Sequence, residues 1–219
     1  MDKKTVIKAI EEHKIVVILR GLDKDQLFNT VTAIRKGGIK CCEVTYDARG
    51  IISDEETASN IRMLVDSFPD MHIGAGTVLT EKQVELTAYA GGEFIISPDV
   101  NPAVIKKTVA MNLVSMPGAL TPSECTLAHR SGADFIKLFP NSEMKPSYLK
   151  AISAPLSHLK FIAVGGVNEN NLASYIKAGA VGIGVSSAII DKKIIESGKY
   201  EELTALAKKY TDALKACEK

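Results

Sequence analysis

The chain has only four cysteines, Cys41, Cys42, Cys125 and Cys217, and none sits in a Cys-x-x-Cys pair. They therefore do not read as a disulfide framework or a thiolate metal site. Adjacent Cys41 and Cys42 would point to opposite faces of a strand, and all four are expected as reduced core or surface thiols. Long apolar stretches are also missing. The longest uncharged run, Thr108 to Ser123, has 16 residues and is broken by Pro117 and Pro122, too short and too interrupted for a spanning helix. No apolar core of signal-peptide length precedes Glu11 and Glu12, so a cytoplasmic location is the default expectation. No block of one charge sign occurs and the net charge is +1, which gives no reason to expect nucleic acid or a membrane surface as partner. His13, His72, His129 and His158 lack metal-ligand spacing, and no metal is assigned. No Gly- or Ser-rich linker or low-complexity tract interrupts residues 1–219, so a single domain is expected.

What is present is 46% hydrophobic and 24% charged residues, an ordinary balance for one large core. Short β-branched or aromatic runs recur, each followed by a polar turn and a segment of helical period. They are Ile15 to Leu19, Cys41 to Thr45, His72 to Ala75, Phe94 to Ser97, Leu113 to Met116, Phe135 to Phe139, Phe161 to Val164 and Val181 to Val185. Thr80 with Gln83, Thr121 with Glu124 and Ser53 with Glu56 read as capping boxes. Pro102 and Pro122 suit first helical positions, and Gly37, Gly91, Gly132 and Gly179 suit helix ends. Leu27, Phe28, Val31 and Ile34 form one buried stripe, and Leu172, Ala173 and Ile176 another. Eight such units predict a compact TIM (β/α)8 barrel in the α/β class. An added helix carrying Val6, Ile7 and Ile10 should precede it, and one carrying Leu203, Leu206, Tyr210 and Leu214 should close it. A doubly wound open sheet is the competing architecture.

Within this pattern Lys137 is out of place, between Ile136 and Leu138 with Phe135 and Phe139 beyond. An unperturbed lysine is roughly 0.04% neutral at pH 7, whereas a desolvated one with a pKa near 7 is half neutral and nucleophilic. Lys137 is therefore a candidate Schiff-base amine. On the second strand Glu43 and Thr45 share a face. If that face points inward, Glu43 supplies the base that carbinolamine and enamine chemistry requires near the amine; the alternative is an outward glutamate lying against a helix. Barrel chemistry sits at the carboxyl ends of strands. There Gly74-Ala-Gly-Thr-Val78 offers the Thr77 hydroxyl, Ser97-Pro98 and Pro117-Gly118 leave space above the core or simply turn the chain, and Arg20 either clamps a carboxylate bidentately or is a solvated loop arginine. After the seventh strand come Val164-Gly165-Gly166-Val167, and after the eighth Gly182-Ile-Gly-Val185-Ser186-Ser187. Loops at these two places, leading to a helix amino terminus, form the common phosphate site of such barrels. Tight turns alone would also account for the glycines.

With Glu43-Val-Thr45, Gly74-Ala-Gly-Thr-Val78, Ser97-Pro98, Pro117-Gly118, Phe135-Ile-Lys-Leu-Phe-Pro140 and Gly165-Gly166 in this order, the chain resembles the class I 2-keto-3-deoxy-6-phosphogluconate/4-hydroxy-2-oxoglutarate aldolases over roughly Ile15 to Ile190. The resemblance implies a Schiff base between Lys137 and the keto carbon of a pyruvate unit, with Glu43 shuttling protons. It implies a pyruvate pocket shaped by Thr77, Arg20 and the Pro117 turn, with Phe139 as an apolar wall. Thr45, Pro98 and Val164 are counted with the substrate-binding set, and Gly165, Gly166, Val185, Ser186 and Ser187 with the phosphate set. It further implies a homotrimer with no metal or organic cofactor. Three positions depart from the family pattern. Asp47 stands where the gluconate branch usually has an arginine, for which Arg49 or Arg20 could substitute. Val164 replaces a threonine before the glycine pair, and Ser186 replaces a glycine. Val164 and Ile18-Leu-Arg-Gly21 look more like the galactonate branch. Two other readings compete: a phosphosugar isomerase with Glu43 as base and Lys137 as an electrostatic clamp, and a non-catalytic metabolite-binding barrel.

Overall fold

The computed structural model describes residues 2–142 and 144–217. Strands β1 (Ile15–Leu19), β2 (Cys41–Thr45), β3 (His72–Gly76), β4 (Phe94–Ile96), β5 (Val114–Met116), β6 (Gly118–Ala119), β7 (Ile136–Leu138), β8 (Phe161–Val164) and β9 (Ala180–Val185) form one parallel sheet. Its order is β5-β4-β3-β2-β1-β9-β8-β7-β6. The eight expected strands become nine segments because Pro117, which has no N–H to give a ladder, splits the fifth into β5 and β6. Those two segments are consecutive in the chain, so the sheet closes on itself. Phe135 N–H donates to the Ser115 carbonyl (3.2 Å), Lys137 N–H to Pro117 (2.9 Å) and Phe139 N–H to Ala119 (3.1 Å). The barrel is thereby confirmed over the open sheet.

Helices α2 (Lys24–Lys36), α3 (Asp54–Ser67), α4 (Glu81–Tyr89), α5 (Pro102–Ala110), α6 (Pro122–Arg130), α7 (Pro146–Ser153) and α8 (Leu172–Lys177) fill the crossovers, and α9 (Lys192–Glu196) follows the last strand. The capping boxes at Thr80/Gln83 and Thr121/Glu124 both form, and Asp23/Gln26 makes a further one. At Ser53 only half of the expected box forms: its side chain accepts the Glu56 N–H at 3.1 Å, without the reciprocal bond from the Ser53 N–H to the Glu56 side chain. Among the described residues no helix is long and apolar enough to cross a membrane.

Alternation along the strands divides the core into two layers. Val17, Ile73, Ile95, Leu138 and Ile183 face the helices. Val16, Ile18, Cys41, Phe94, Ile96, Val114, Met116, Phe135, Ile162 and Val164 fill the barrel interior, while Cys42 joins the outer layer, so the adjacent cysteines do point to opposite faces. The predicted first helix, α1 (Lys3–His13), plugs the barrel floor, with Val6 and Ile10 joining the interior cluster. The final helix, α10 (Tyr200–Cys217), buries Leu203, Ala207, Tyr210 and Leu214. One stripe residue is corrected: Phe28 is 42% exposed, its ring tilted on Phe68 at 5.2 Å. It lies about 100° around the helix from Leu27, beyond the narrow face that α2 buries.

Candidate active site

The register puts Glu43 beside Ile18 and Gly74, and Lys137 beside Gly118 and Ile162. Both side chains point inward and close the same small interior chamber with Val16, Ile18, Ile96, Met116, Ile162 and Val164. Glu43 is 1% exposed and Lys137 7%. Space for the carboxylate comes from Gly76, where an added Cβ would overlap Glu43 Oε1. Burial pushes the Glu43 carboxyl up to about 7, against the opposing pull of Lys137 and Arg20. The same desolvation lowers the Lys137 amine; Glu43 acts against that shift and Arg20 adds to it. Glu43 Oε2 is buried without a hydrogen-bond partner, an arrangement that costs stability and is typical of groups kept for chemistry. Lys137 Nζ lies 4.5 Å from the centre of the Phe139 ring, which covers the amine from above.

Over this chamber opens a cleft of about 540 Å³ lined by Arg20, Thr77, Pro98, Lys137, Phe139, Val164, Gly165, Gly166, Val185, Ser186 and Ser187 among others. Most of the predicted substrate and phosphate residues therefore meet in one place. Thr77 holds a left-handed backbone, φ 55°, a conformation that costs a β-branched residue about 1–2 kcal/mol. It accepts a hydrogen bond from Arg20 Nη2 at 3.2 Å. Two predicted residues lie elsewhere. Thr45 lines a neighbouring recess of about 690 Å³ that shares Arg20, Thr77, Ser186 and Ser187 with the cleft. Pro117 is buried behind Lys137, whose N–H its carbonyl accepts; it supports the lysine strand, whereas Phe139 forms the cleft wall.

In the two glycine loops the glycines have a defined reason. Gly165 and Gly166 take φ 104° and 71°, and a Cβ at Gly166 would stand 2.9 Å from Ser142 Cα. The expected helix amino terminus is not directly at the second loop. Ser187 to Ile189 form a turn, and α9 starts only at Lys192, where the Asp191 carboxylate already accepts the N–H groups of Lys193 and Ile194. Val167, Asn168 and Ala188 also line the cleft. Val167 closes the glycine motif noted in the sequence; Asn168 and Ala188 were not singled out, although Asn168 follows that motif and Ala188 follows Ser187.

Asp47, at the departure position, accepts N–H groups from Arg49, Ile51 and Ile52 together with Arg49 Nε at 3.3 Å. The backbone N–H of Arg49, chief among these donors, holds its carboxyl below the usual range. It thus shapes its own loop and carries Arg49 to the recess, while Arg20 is the arginine on the cleft. Among the described residues no three His, Cys, Asp or Glu side chains gather to hold a metal ion.

A cleft holding a desolvated amine with a carboxylate below it can form an imine and move protons beside it. Comparisons with known proteins agree. The family model for KDPG and KHG aldolases matches residues 6–206. A probable 2-dehydro-3-deoxy-6-phosphogalactonate aldolase of Rhizobium meliloti (strain 1021) is 38% identical over 179 residues, 81% of this chain and 82% of the relative. A solved structure of native KDPGal superposes with a TM-score of 0.84 at 31% identity, covering 93% of this chain and 95% of that one. A KDPG aldolase from Legionella pneumophila, captured with pyruvate as a covalent carbinolamine, reaches 0.81 at 25% identity over 94% and 98%. The chain belongs to the KDPG and KHG aldolase family, lyases that cleave carbon–carbon bonds through a Schiff base and need no metal.

Proposed function

We propose that the chain cleaves a 2-keto-3-deoxy-6-phospho sugar acid reversibly to pyruvate and glyceraldehyde 3-phosphate, with Lys137 as the nucleophile. The observation that carries this reading is the shared chamber of Lys137 and Glu43 beneath a cleft that the glycine-rich loops also line. The neutral amine attacks the C2 ketone, and the carbinolamine loses water to give an iminium. The C4 hydroxyl gives up its proton as the C3–C4 electron pair moves into the iminium, so the aldehyde leaves and an enamine remains. Protonation at C3 regenerates the iminium, and water releases pyruvate. Glu43, poised near neutral pH, is suited to take and return these protons, directly or through one water. Arg20 and Thr77 are placed for the carboxylate. The backbone around Gly165, Gly166, Val185, Ser186 and Ser187 is assigned to the phosphate.

The galactonate configuration is favoured by Val164 on the cleft wall and by the identity to the Rhizobium relative. The same residues would accept 4-hydroxy-2-oxoglutarate, releasing glyoxylate and leaving the phosphate loops unused. A homotrimer, as the resemblance implies, is proposed for the assembly and is checked by light scattering. Pyruvate release from gluconate-type, galactonate-type and 4-hydroxy-2-oxoglutarate substrates tests the reading. Highest kcat/KM on the phosphorylated galactonate type supports it, and no release from any of them refutes it.

A further inference from the structure

The carbonyls of the segment entering the glycine pair are held one after another by two asparagines. The Val164 carbonyl accepts the Asn141 backbone N–H at 3.1 Å. The Gly165 carbonyl accepts Asn141 Nδ2 at 3.3 Å, and the Gly166 carbonyl accepts Asn171 Nδ2 at 2.9 Å. Asn171 is fixed in turn, because its Oδ1 accepts the Asn168 N–H at 2.8 Å. Asn141 is fully buried and its loop presses on the glycines: a Cβ at Gly165 would lie 3.2 Å from the Asn141 nitrogen.

In a trans peptide the C=O of one residue and the N–H of the next point in opposite directions. Three anchored carbonyls therefore fix three N–H groups, those of Gly165, Gly166 and Val167, each aimed away from its asparagine. All three residues line the cleft, and Gly165 and Gly166 both have positive φ, the backbone state from which anion-binding concavities of successive N–H groups are made. We infer that Asn141 and Asn171 are positioning residues that turn the N–H groups of residues 165–167 into a preformed cradle for the substrate's phosphate. Neither touches the phosphate. They act by holding the far side of each peptide plane, so that these donors need not reorganise when the anion arrives.

The inference rests on the phosphate assignment above, and inorganic phosphate separates the two. Wild-type enzyme is titrated first with inorganic phosphate as a competitor of the phosphorylated substrate. Absence of competition overturns the phosphate assignment and the cradle together. Given competition, Asn171→Ala carries the test, because Asn171 is only half-buried and its loss leaves the barrel core untouched. The expected result is a phosphate inhibition constant and a KM for the phosphorylated substrate raised about fivefold to tenfold, the scale of one lost orienting hydrogen bond. Borohydride trapping of unphosphorylated pyruvate on Lys137 should keep its wild-type rate. Asn141→Ser, which keeps the backbone donor and removes Nδ2, should act in the same direction. Unchanged phosphate constants in Asn171→Ala, or an equal loss of pyruvate trapping, would overturn the positioning role.

Discussion

The Glu43 carboxylate occupies the volume that a side chain at Gly76 would need. The glycine on β3 thus makes room for the acid on β2. Gly76→Ala forces only the end of a flexible side chain to move, so the barrel should fold with little loss of melting temperature. The displaced carboxylate should lower kcat by about 10-fold to 100-fold, below the 10²-fold to 10⁴-fold of a lost general base. Steady-state kinetics beside a thermal melt checks this; a normal kcat would show that Glu43 need not hold its position.

Glu43→Gln should lower kcat by about 10²-fold to 10⁴-fold while making the protein more stable near pH 7.5. The native carboxyl is raised to about 7 by burial, and the unfolded one has a pKa near 4.3. Between those values the native state holds the proton that the unfolded state has lost, so wild-type stability falls as pH rises through this window. Chemical denaturation at pH 5 and pH 7.5 should show that fall in the wild type, on the order of 2 kcal/mol, and a flatter profile in the variant.

The pH dependence of kcat/KM should have an acid limb, because the proposed mechanism needs Glu43 ionised and Lys137 neutral. Activity is expected to rise with pH toward and past neutrality, with apparent pKa values belonging to the coupled pair. In Glu43→Gln the residual activity should lose the limb near pH 7. An unchanged profile would assign that limb to another group.

Arg20 donates to Thr77 and faces both cavities. Arg20→Met should raise KM for the keto acid about 10-fold to 100-fold, the range of a charge-assisted hydrogen bond. Arg49→Met should have a smaller effect, because Arg49 is tied to Asp47 and sits on the recess. A larger effect at Arg49 would move the carboxylate site to the recess.

The barrel was legible because its strands are short apolar runs with breakers at both ends, and because Lys137 is a charge inside one of them. Glu43 was legible by period-two alternation once the inward face was known. The break at Pro117 could be anticipated from the missing N–H, yet its consequence, a carbonyl supporting Lys137 from behind, needs the register. Asn141 and Asn171 carried no signal. They are isolated polar residues in loops, and their importance lies in which carbonyl each reaches, a property of tertiary contact alone. The delayed start of α9 was hidden for a similar reason: Ser186 to Ile190 has no periodicity to separate a turn from a first helical turn, and only the Asp191 cap marks the boundary.

The central claim is that Lys137 is the nucleophile. Incubation with pyruvate, reduction with borohydride and peptide mass analysis test it most directly. A single reduced pyruvate adduct on Lys137 is expected, absent from a folded and catalytically dead Lys137→Met. Turnover in Lys137→Met, or an adduct on any other lysine with Lys137 unmodified, would contradict it.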